Sequence, residues 1–281
     1  ITGGASADTV TLATQATGTT VSLGGSADAL TLGAFINTVT VSDVETVTGG
    51  STNDTVTFAT QASGVTLDLG AGRDQLILGA FANTLTVSGV ETVTGAGLAD
   101  TVTLGSQATG ATVDLGAGAD TLVLGAHVNT VTITNVEAVT GGSTDDTVTF
   151  SGAITGAAVD LGAGNDTLVF AAGGATVTVT GVETITASAA DDRVALGDQA
   201  TGSTLDLGAG SDTLVLGDHV NTATVSNTET VTGGASADTV TLATQALGTE
   251  VDLGAGRDRL VLGDFANTLT VANGEPLTGG T

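Results

Sequence analysis

Two series of aspartates have the type and spacing that point most directly to chemistry. The first runs Asp8, Asp54, Asp100, Asp146, Asp192 and Asp238, and the second Asp28, Asp74, Asp120, Asp166, Asp212 and Asp258, both in steps of 46 residues without slippage. Each aspartate except Asp192 ends a turn that contains glycine. The second series reads Leu69-Gly-Ala-Gly-Arg-Asp74 and then four further Gly-Ala-Gly-x-Asp turns, whose later glycines are Gly72, Gly118, Gly164, Gly210 and Gly256. The first reads Gly49-Gly50-Ser51-Thr52-Asn53-Asp54, with relatives ending at Asp8, Asp146 and Asp238. Stacked on successive coils about 4.8 Å apart, such carboxylates form one ladder and repel by roughly 0.9 kcal/mol per neighbouring pair in bulk water, and by several times that near a protein surface. A cation between them removes the repulsion. Ca²⁺ suits the site because it takes six to eight oxygen ligands in flexible geometry, and the glycines let the backbone turn its carbonyls inward at positive φ. The plainer alternative is that Asp only opens a strand after a turn and faces water. Twelve in-register copies favour the ion.

What must position these turns is a repeat. Six units fill the chain, roughly 3–48, 49–94, 95–140, 141–186, 187–232 and 233–278, and a seventh begins at Gly279-Gly280. Thr2 to Ala16 is identical to Thr232 to Ala246, five periods later, so duplication made a single array over 1–281. A fixed period of this size marks a solenoid in which each repeat covers its neighbour's apolar face. Thr9-Val10-Thr11-Leu12, Thr38-Val39-Thr40-Val41 and Glu45-Thr46-Val47-Thr48 are β-branched and mostly alternating, as half-buried strands are, and no helical period is present. The two Asp series cut each repeat into stretches of 20 and 26 residues that begin alike. Each stretch is read as one coil, the longer one carrying a third strand, which makes an all-β parallel β-solenoid of about twelve coils and roughly 58 Å at the inter-strand spacing. Parsing each repeat as five strands of about nine residues is the alternative, and it fits a two-sheet roll poorly.

The turns resemble the haemolysin-type (RTX) nonapeptide, G-G-x-G-x-D-x-U-x, which binds Ca²⁺ in parallel β-rolls. The resemblance spans all six repeats but is inexact: Leu stands at the first Gly of the Gly-Ala-Gly turns, and the Gly-Gly turns lack the later Gly. In that family, carboxylates and carbonyls from adjacent coils share each ion. The candidate ligands that the resemblance implies are therefore Asp8, Asp28, Asp54, Asp74, Asp100, Asp120, Asp146, Asp166, Asp212, Asp238 and Asp258, with the turn glycines Gly72, Gly118, Gly164, Gly210 and Gly256. Asp192 follows Ala187-Ser188 in place of Gly-Gly and is the weakest, with Asp28, after Gly24-Gly25-Ser26, next.

Other repeated residues are less pointed. Asp68, Asp114, Asp160, Asp206 and Asp252 face outward between Val and Leu and serve solubility or outer-sphere charge. Glu45, Glu91, Glu137, Glu183, Glu229 and Glu275 read as an exposed strand corner. His127 and His219 take the slot of Phe35, Phe81 and Phe265, about four coils or roughly 19 Å apart, too far to share a metal, and read as corner packing. Asn37, Asn83, Asn129, Asn221 and Asn267 read as a stacked amide ladder. A catalytic site is a unique constellation, whereas every carboxylate here is repeated and no triad, P-loop or zinc motif occurs. The chain reads as non-enzymatic.

Composition bounds the rest. In 281 residues there are 43 Gly, six Phe and no Cys, Met, Trp or Tyr, yet 41% are apolar, which argues against disorder and leaves a thin core of Val, Leu, Ile and Ala. Thirty acids face four bases, Arg73, Arg193, Arg257 and Arg259, for a net charge of −26. Phosphate binding needs basic patches, so nucleic acid is excluded as a partner, and anionic membranes are disfavoured; no stretch is long and apolar enough to insert as a helix. Zero Cys removes thiolate and disulfide chemistry. No signal peptide is visible at Ile1, and the chain reads as an excerpt of something longer. Strings such as VETVTGG and LGAGxDTL resemble the repeats of large bacterial surface adhesins and surface-layer proteins. That likeness implies type I secretion, folding in external Ca²⁺, and a stalk, surface-layer or filament role with end-to-end or lateral self-association through open solenoid edges. Pro276, which cannot donate to a ladder, marks the last repeat's degradation. The alternatives are an ice-binding solenoid built on Thr-x-Thr pairs such as Thr38/Thr40, interrupted at Gln75, Arg193 and Arg259, and the calcium roll of a secreted protease or lipase.

Overall fold

In the computed structural model, which describes residues 1–273 and the strand Leu277–Thr278, the alternation of Thr with Val or Leu is realised as parallel β-structure throughout, with no helix among the described residues. Glu275, Pro276 and the start of a seventh repeat lie outside them. The chain divides into two compact units, Ile1–Gly142 and Ser143–Thr281, each a two-sheet β-solenoid.

The first ten strands are β1 (Thr9–Thr11), β2 (Thr17–Ser22), β3 (Ala29–Thr31), β4 (Thr38–Ser42), β5 (Thr46–Gly50), β6 (Thr55–Phe58), β7 (Ser63–Gly70), β8 (Gln75–Ile77), β9 (Thr84–Ser88) and β10 (Thr92–Ala96). One sheet runs β1-β3-β5-β7-β9 and continues through Thr101–Leu104, Thr121–Val123 and Ala138–Gly142. The other runs β2-β4-β6-β8-β10 and continues through Thr109–Gly116 and Thr130–Thr134. Every coil therefore holds two strands. Coils are 17, 20 or 21 residues long, as the partners Thr38↔Thr55, Thr9↔Ala29 and Thr17↔Thr38 show. The second unit repeats the scheme from Thr147–Phe150 to Leu277–Thr278.

The parallel solenoid is as expected, but the division of the repeat differs. Among the described residues each repeat contributes five strands, two and a half coils rather than two. The 26-residue stretch does not close as one three-stranded coil. Thr46, at the head of its supposed third strand, pairs with Ala29 seventeen residues earlier and so already belongs to the next coil. An odd number of strands in a two-sheet roll sends each repeat to the opposite sheet from its predecessor. Thus β1 lies in the first sheet and its equivalent β6 in the second.

Strand faces follow the pleat. Along β7, Val65, Leu67 and Leu69 are buried while Thr66 and Asp68 face out. The core between the sheets is a stack of Val and Leu in which Phe58, Phe150 and Phe170 are the largest buried side chains, the latter two with ring centroids 6.0 Å apart. The turn after each Thr-x-Thr strand, which falls on alternate edges, needs left-handed backbone, and only residues tolerant of it occur there: Asp43, Asn135, Asn227 and Asn273 at φ 51 to 54°, with Gly89 and Gly181 at 57 and 59°. Thr-x-Thr pairs face outward on both sheets, Thr38/Thr40 on one and Thr84/Thr86 on the other. The half-integer repeat thus gives both faces the same residues.

Candidate metal centre

The aspartates of both series lie at the entry of a strand, one residue before its first member, and the half-coil step decides their company. Asp8, Asp28, Asp100 and Asp120 precede strands of one sheet, and Asp54 and Asp74 precede strands of the other. The expected single ladder of twelve is replaced by pairs on adjacent coils: Asp8/Asp28, Asp54/Asp74 and Asp100/Asp120 in the first unit, Asp146/Asp166, Asp192/Asp212 and Asp238/Asp258 in the second.

Apart from the half-buried Asp8, these side chains do not face water. Asp28, Asp54, Asp74, Asp100, Asp120, Asp166, Asp212, Asp238 and Asp258 are at most 1% exposed. Each pair is part of a side-chain ladder running along the inner corner, one rung per coil. On one edge Ala16 N–H donates to Asn37 Oδ1 (3.0 Å), Asn37 N–H and Nδ2 to Asp54 Oδ1 (3.0 and 2.9 Å), Asp54 N–H to Asp74 Oδ1 (2.6 Å) and Asp74 N–H to Glu91 Oε2 (2.7 Å). The other edge repeats this from Ala62 through Asn83, Asp100 and Asp120 to Glu137. In the second unit the rungs Asp166–Glu183, Asp192–Asp212–Glu229 and Asn221–Asp238–Asp258 recur. One carboxylate oxygen thus takes over the backbone carbonyl's duty where the strand ladder has not yet begun, which satisfies a buried N–H.

The other oxygen is left over. The Oδ2 atoms of Asp28, Asp54, Asp74, Asp100, Asp120, Asp166, Asp212 and Asp238 are buried without a hydrogen-bond partner, whereas those of Asp8 and Asp192 accept the N–H of Gly4 and Ser188. A buried unpaired carboxylate oxygen costs free energy, so burial favours the protonated form. Burial pushes the carboxyls of Asp74, Asp166 and Asp212 up to about 6 against the pull of the N–H each accepts, and the neighbouring carboxylates, Glu91, Glu183 and Glu229 among them, raise them further. Asp120 is raised for the same reasons.

The glycines are required by stacking. Gly70, Gly116, Gly208 and Gly254 have φ between 81 and 88°, and a Cβ on any of them would collide with the carbonyl oxygen of Gly50, Ala96, Ser188 or Gly234 in the coil before. At Gly72, Gly118, Gly164, Gly210 and Gly256 a Cβ would lie within 2.6 to 2.9 Å of the backbone of Thr52, Leu98, Thr144, Ala190 or Ser236. Repeat 1 has Ser26 here, held at φ 117°. At Gly95 a Cβ would strike the Leu115 carbonyl and come within 2.8 Å of Asp100 Oδ2, and at Gly233 the same holds for Leu253 and Asp238. Carbonyl oxygens and free carboxylate oxygens therefore border the same small space.

Among the described residues no three His, Cys, Asp or Glu side chains converge as metal ligands. The carboxylates come as pairs, and any further donors are hydroxyls, carbonyls or water, a set of hard oxygens that fits Ca²⁺ or Mg²⁺ rather than a thiophilic metal. His127 and His219 stand exposed at corners, as do Phe35, Phe81 and Phe265. The outward Asp114 and Asp206 accept from Asn135 and Asn227 at 2.8 and 2.7 Å, and Asp68 and Asp160 from Gly70 and Gly162 at 3.1 Å.

Two series differ from the sequence expectation. Glu45, Glu91, Glu137 and Glu183 are half-buried rather than exposed at a corner, and with Glu229 they close the ladder by accepting an Asp N–H. The asparagines do not stack on one another but join Ala to Asp. The signal was in the intervals: 21 from Ala16 to Asn37, 17 from Asn37 to Asp54, 20 to Asp74 and 17 to Glu91 are all coil lengths.

No family model matches the chain, and neither a curated protein nor a solved structure matches it.

Proposed function

We propose that the chain is a non-catalytic structural repeat module of a secreted or cell-surface bacterial protein, of the kind that builds adhesin stalks, surface layers or extracellular filaments, and that Ca²⁺ held between paired Asp turns folds and stiffens it. The observation that carries the calcium reading is the row of buried Oδ2 atoms without partners, repeated from pair to pair. Neutral pH leaves such oxygens charged unless a cation or a proton meets them. The parallel two-sheet solenoid supports the structural role, since its turns and faces repeat instead of converging on one unique constellation. In this reading binding and folding are coupled: the chain stays open where Ca²⁺ is scarce, passes through its exporter, and closes coil by coil outside. The turns are variants of the haemolysin-type nonapeptide, with the ion count set by pairs.

Far-UV circular dichroism of EDTA-treated protein at pH 7.5, titrated with Ca²⁺ and in parallel with Mg²⁺, tests it. The expected result is a Ca²⁺-specific gain of β signal. An unchanged β spectrum in EDTA with no response to Ca²⁺ sinks the calcium reading.

A further inference from the structure

We infer that the six turn pairs are not equivalent: those of repeats 2 and 4 form a tighter class of divalent-cation site, completed by the hydroxyls of Thr52 and Thr144. This rests on the calcium reading above and adds a ligand that the nonapeptide pattern, with Gly at that place, does not contain.

Among the described residues, the buried side-chain oxygens without a partner are aspartate Oδ2 atoms and two others, Thr52 Oγ1 and Thr144 Oγ1. Both occupy the same place, two residues before a first-series aspartate, in Ser51-Thr52-Asn53-Asp54 and Ser143-Thr144-Asp145-Asp146. A threonine hydroxyl in a surface turn can ordinarily reach water; these two are turned in. The turn that holds each is locked residue for residue onto the next coil. Gly72 abuts the Thr52 backbone, with a Cβ position 2.9 Å from its carbonyl carbon, Asn53 Oδ1 accepts the Arg73 N–H at 2.9 Å, and Asp74 Oδ1 accepts the Asp54 N–H at 2.6 Å. In repeat 4, Gly164 abuts Thr144, Asp145 Oδ1 accepts the Asn165 N–H at 2.9 Å, and Asp166 Oδ1 accepts the Asp146 N–H at 2.7 Å. In repeat 2 the hydroxyl and the two free carboxylate oxygens of Asp54 and Asp74 are thereby held in one pair of stacked turns.

The other repeats are internal controls. Repeat 3 has Leu98, 52% exposed, and Ala99, so it lacks both hydroxyl and lock. Repeat 5 keeps the lock, with Asp191 Oδ1 accepting the Ser211 N–H at 2.8 Å, but places Ala190 where the hydroxyl would be. Ser6 is exposed in repeat 1, and Ser236 in repeat 6 spends its hydroxyl on the Asp218 carbonyl at 3.2 Å. An oxygen-only set of two carboxylates, a hydroxyl and turn carbonyls is what a hard dication takes.

The test is isothermal titration of the full, EDTA-stripped and desalted chain with CaCl₂, with the number of bound ions checked by equilibrium dialysis and the fold by circular dichroism. Two sites about tenfold tighter than the rest are expected, the scale of one added hydrogen-bonding group. Thr52→Val with Thr144→Val removes the tight class, and each single change removes one site from it. Leu98→Thr with Ala99→Asn, a change at an exposed turn, adds a third tight site. A wild-type isotherm with one class of equivalent sites, a Thr→Val double variant that titrates as wild type, or no gain in the Leu98→Thr/Ala99→Asn chain overturns the inference while leaving calcium binding in place. Water alone filling these places shows as no Ca²⁺ uptake, which overturns both readings together.

Discussion

Repeats 2 and 3 share strands, register and core, and differ in what one turn offers. In repeat 2, Gly49-Gly50-Ser51-Thr52-Asn53-Asp54 buries a hydroxyl and ties Asn53 to the next coil; in repeat 3, Gly95-Ala96-Gly97-Leu98-Ala99-Asp100 exposes a leucine and ties nothing at that rung. Yet Asp54 and Asp100 are equally buried, each accepts two N–H groups from an asparagine, and each donates its own N–H to the next aspartate. The corner ladder is thus the part of the turn that the fold demands, and the residues just before it are free to vary. What the fold requires and what the turn leaves variable are separable within six residues.

The largest effect should come from the part the two repeats share. Leu76→Ala or Leu122→Ala, each emptying a fully buried site, is expected to cost about 2–5 kcal/mol alike in either repeat, read from urea midpoints in saturating Ca²⁺.

Next comes the rung itself. Asp74→Ala leaves the buried Asp54 N–H without an acceptor and should cost about 1–3 kcal/mol. Asp74→Asn keeps an oxygen there and removes the charge. In EDTA at pH 7.5 it should show more far-UV β signal than the parent, and in Ca²⁺ it should bind more weakly and fold less, so the order of the two proteins reverses when the ion is added. The same order in both conditions would show that the free oxygen of Asp74 meets no cation.

A pH series on the metal-free protein sharpens this. Burial raises the carboxyls of Asp74, Asp166 and Asp212 to about 6 in the folded chain, against 3.8 for a free, solvent-exposed side chain. The native state therefore binds more protons than the unfolded chain between those values, and stability falls as pH rises. Stability from these groups is fully present below about pH 4 and lost as pH passes through about 6, so the far-UV β signal in EDTA should be larger at pH 4.5 than at pH 7.5.

Glycine changes separate conformation from contact. Gly64→Ala and Gly70→Ala both place a side chain at positive φ, 68 and 84°, but only the second meets a carbonyl. The first should cost about 1–2 kcal/mol and the second clearly more, by thermal midpoint. Smallest of all is Leu98→Ser, half-exposed and bound to nothing, expected within about 0.5 kcal/mol of the parent.

Much of this was legible before any coordinates. Alternating Thr and Val make half-buried strands, a slip-free 46-residue period makes a stack, and Gly-x-Asp turns at constant phase put carboxylates in register, because each of these rests on local stereochemistry or on repetition alone. Where a coil closes is not local. It depends on which strand a given strand meets after 17 or 20 residues, and five strands per repeat in a two-sheet roll cannot be told from two longer coils by pattern, since Thr46-Val47-Thr48 alternates equally well either way. That closure decided that the aspartates pair on alternate edges instead of lining one, that Glu91 and Asn37 become rungs of their ladder, and that at Asp54 and Asp74 one oxygen is bonded while the other is left buried without a partner.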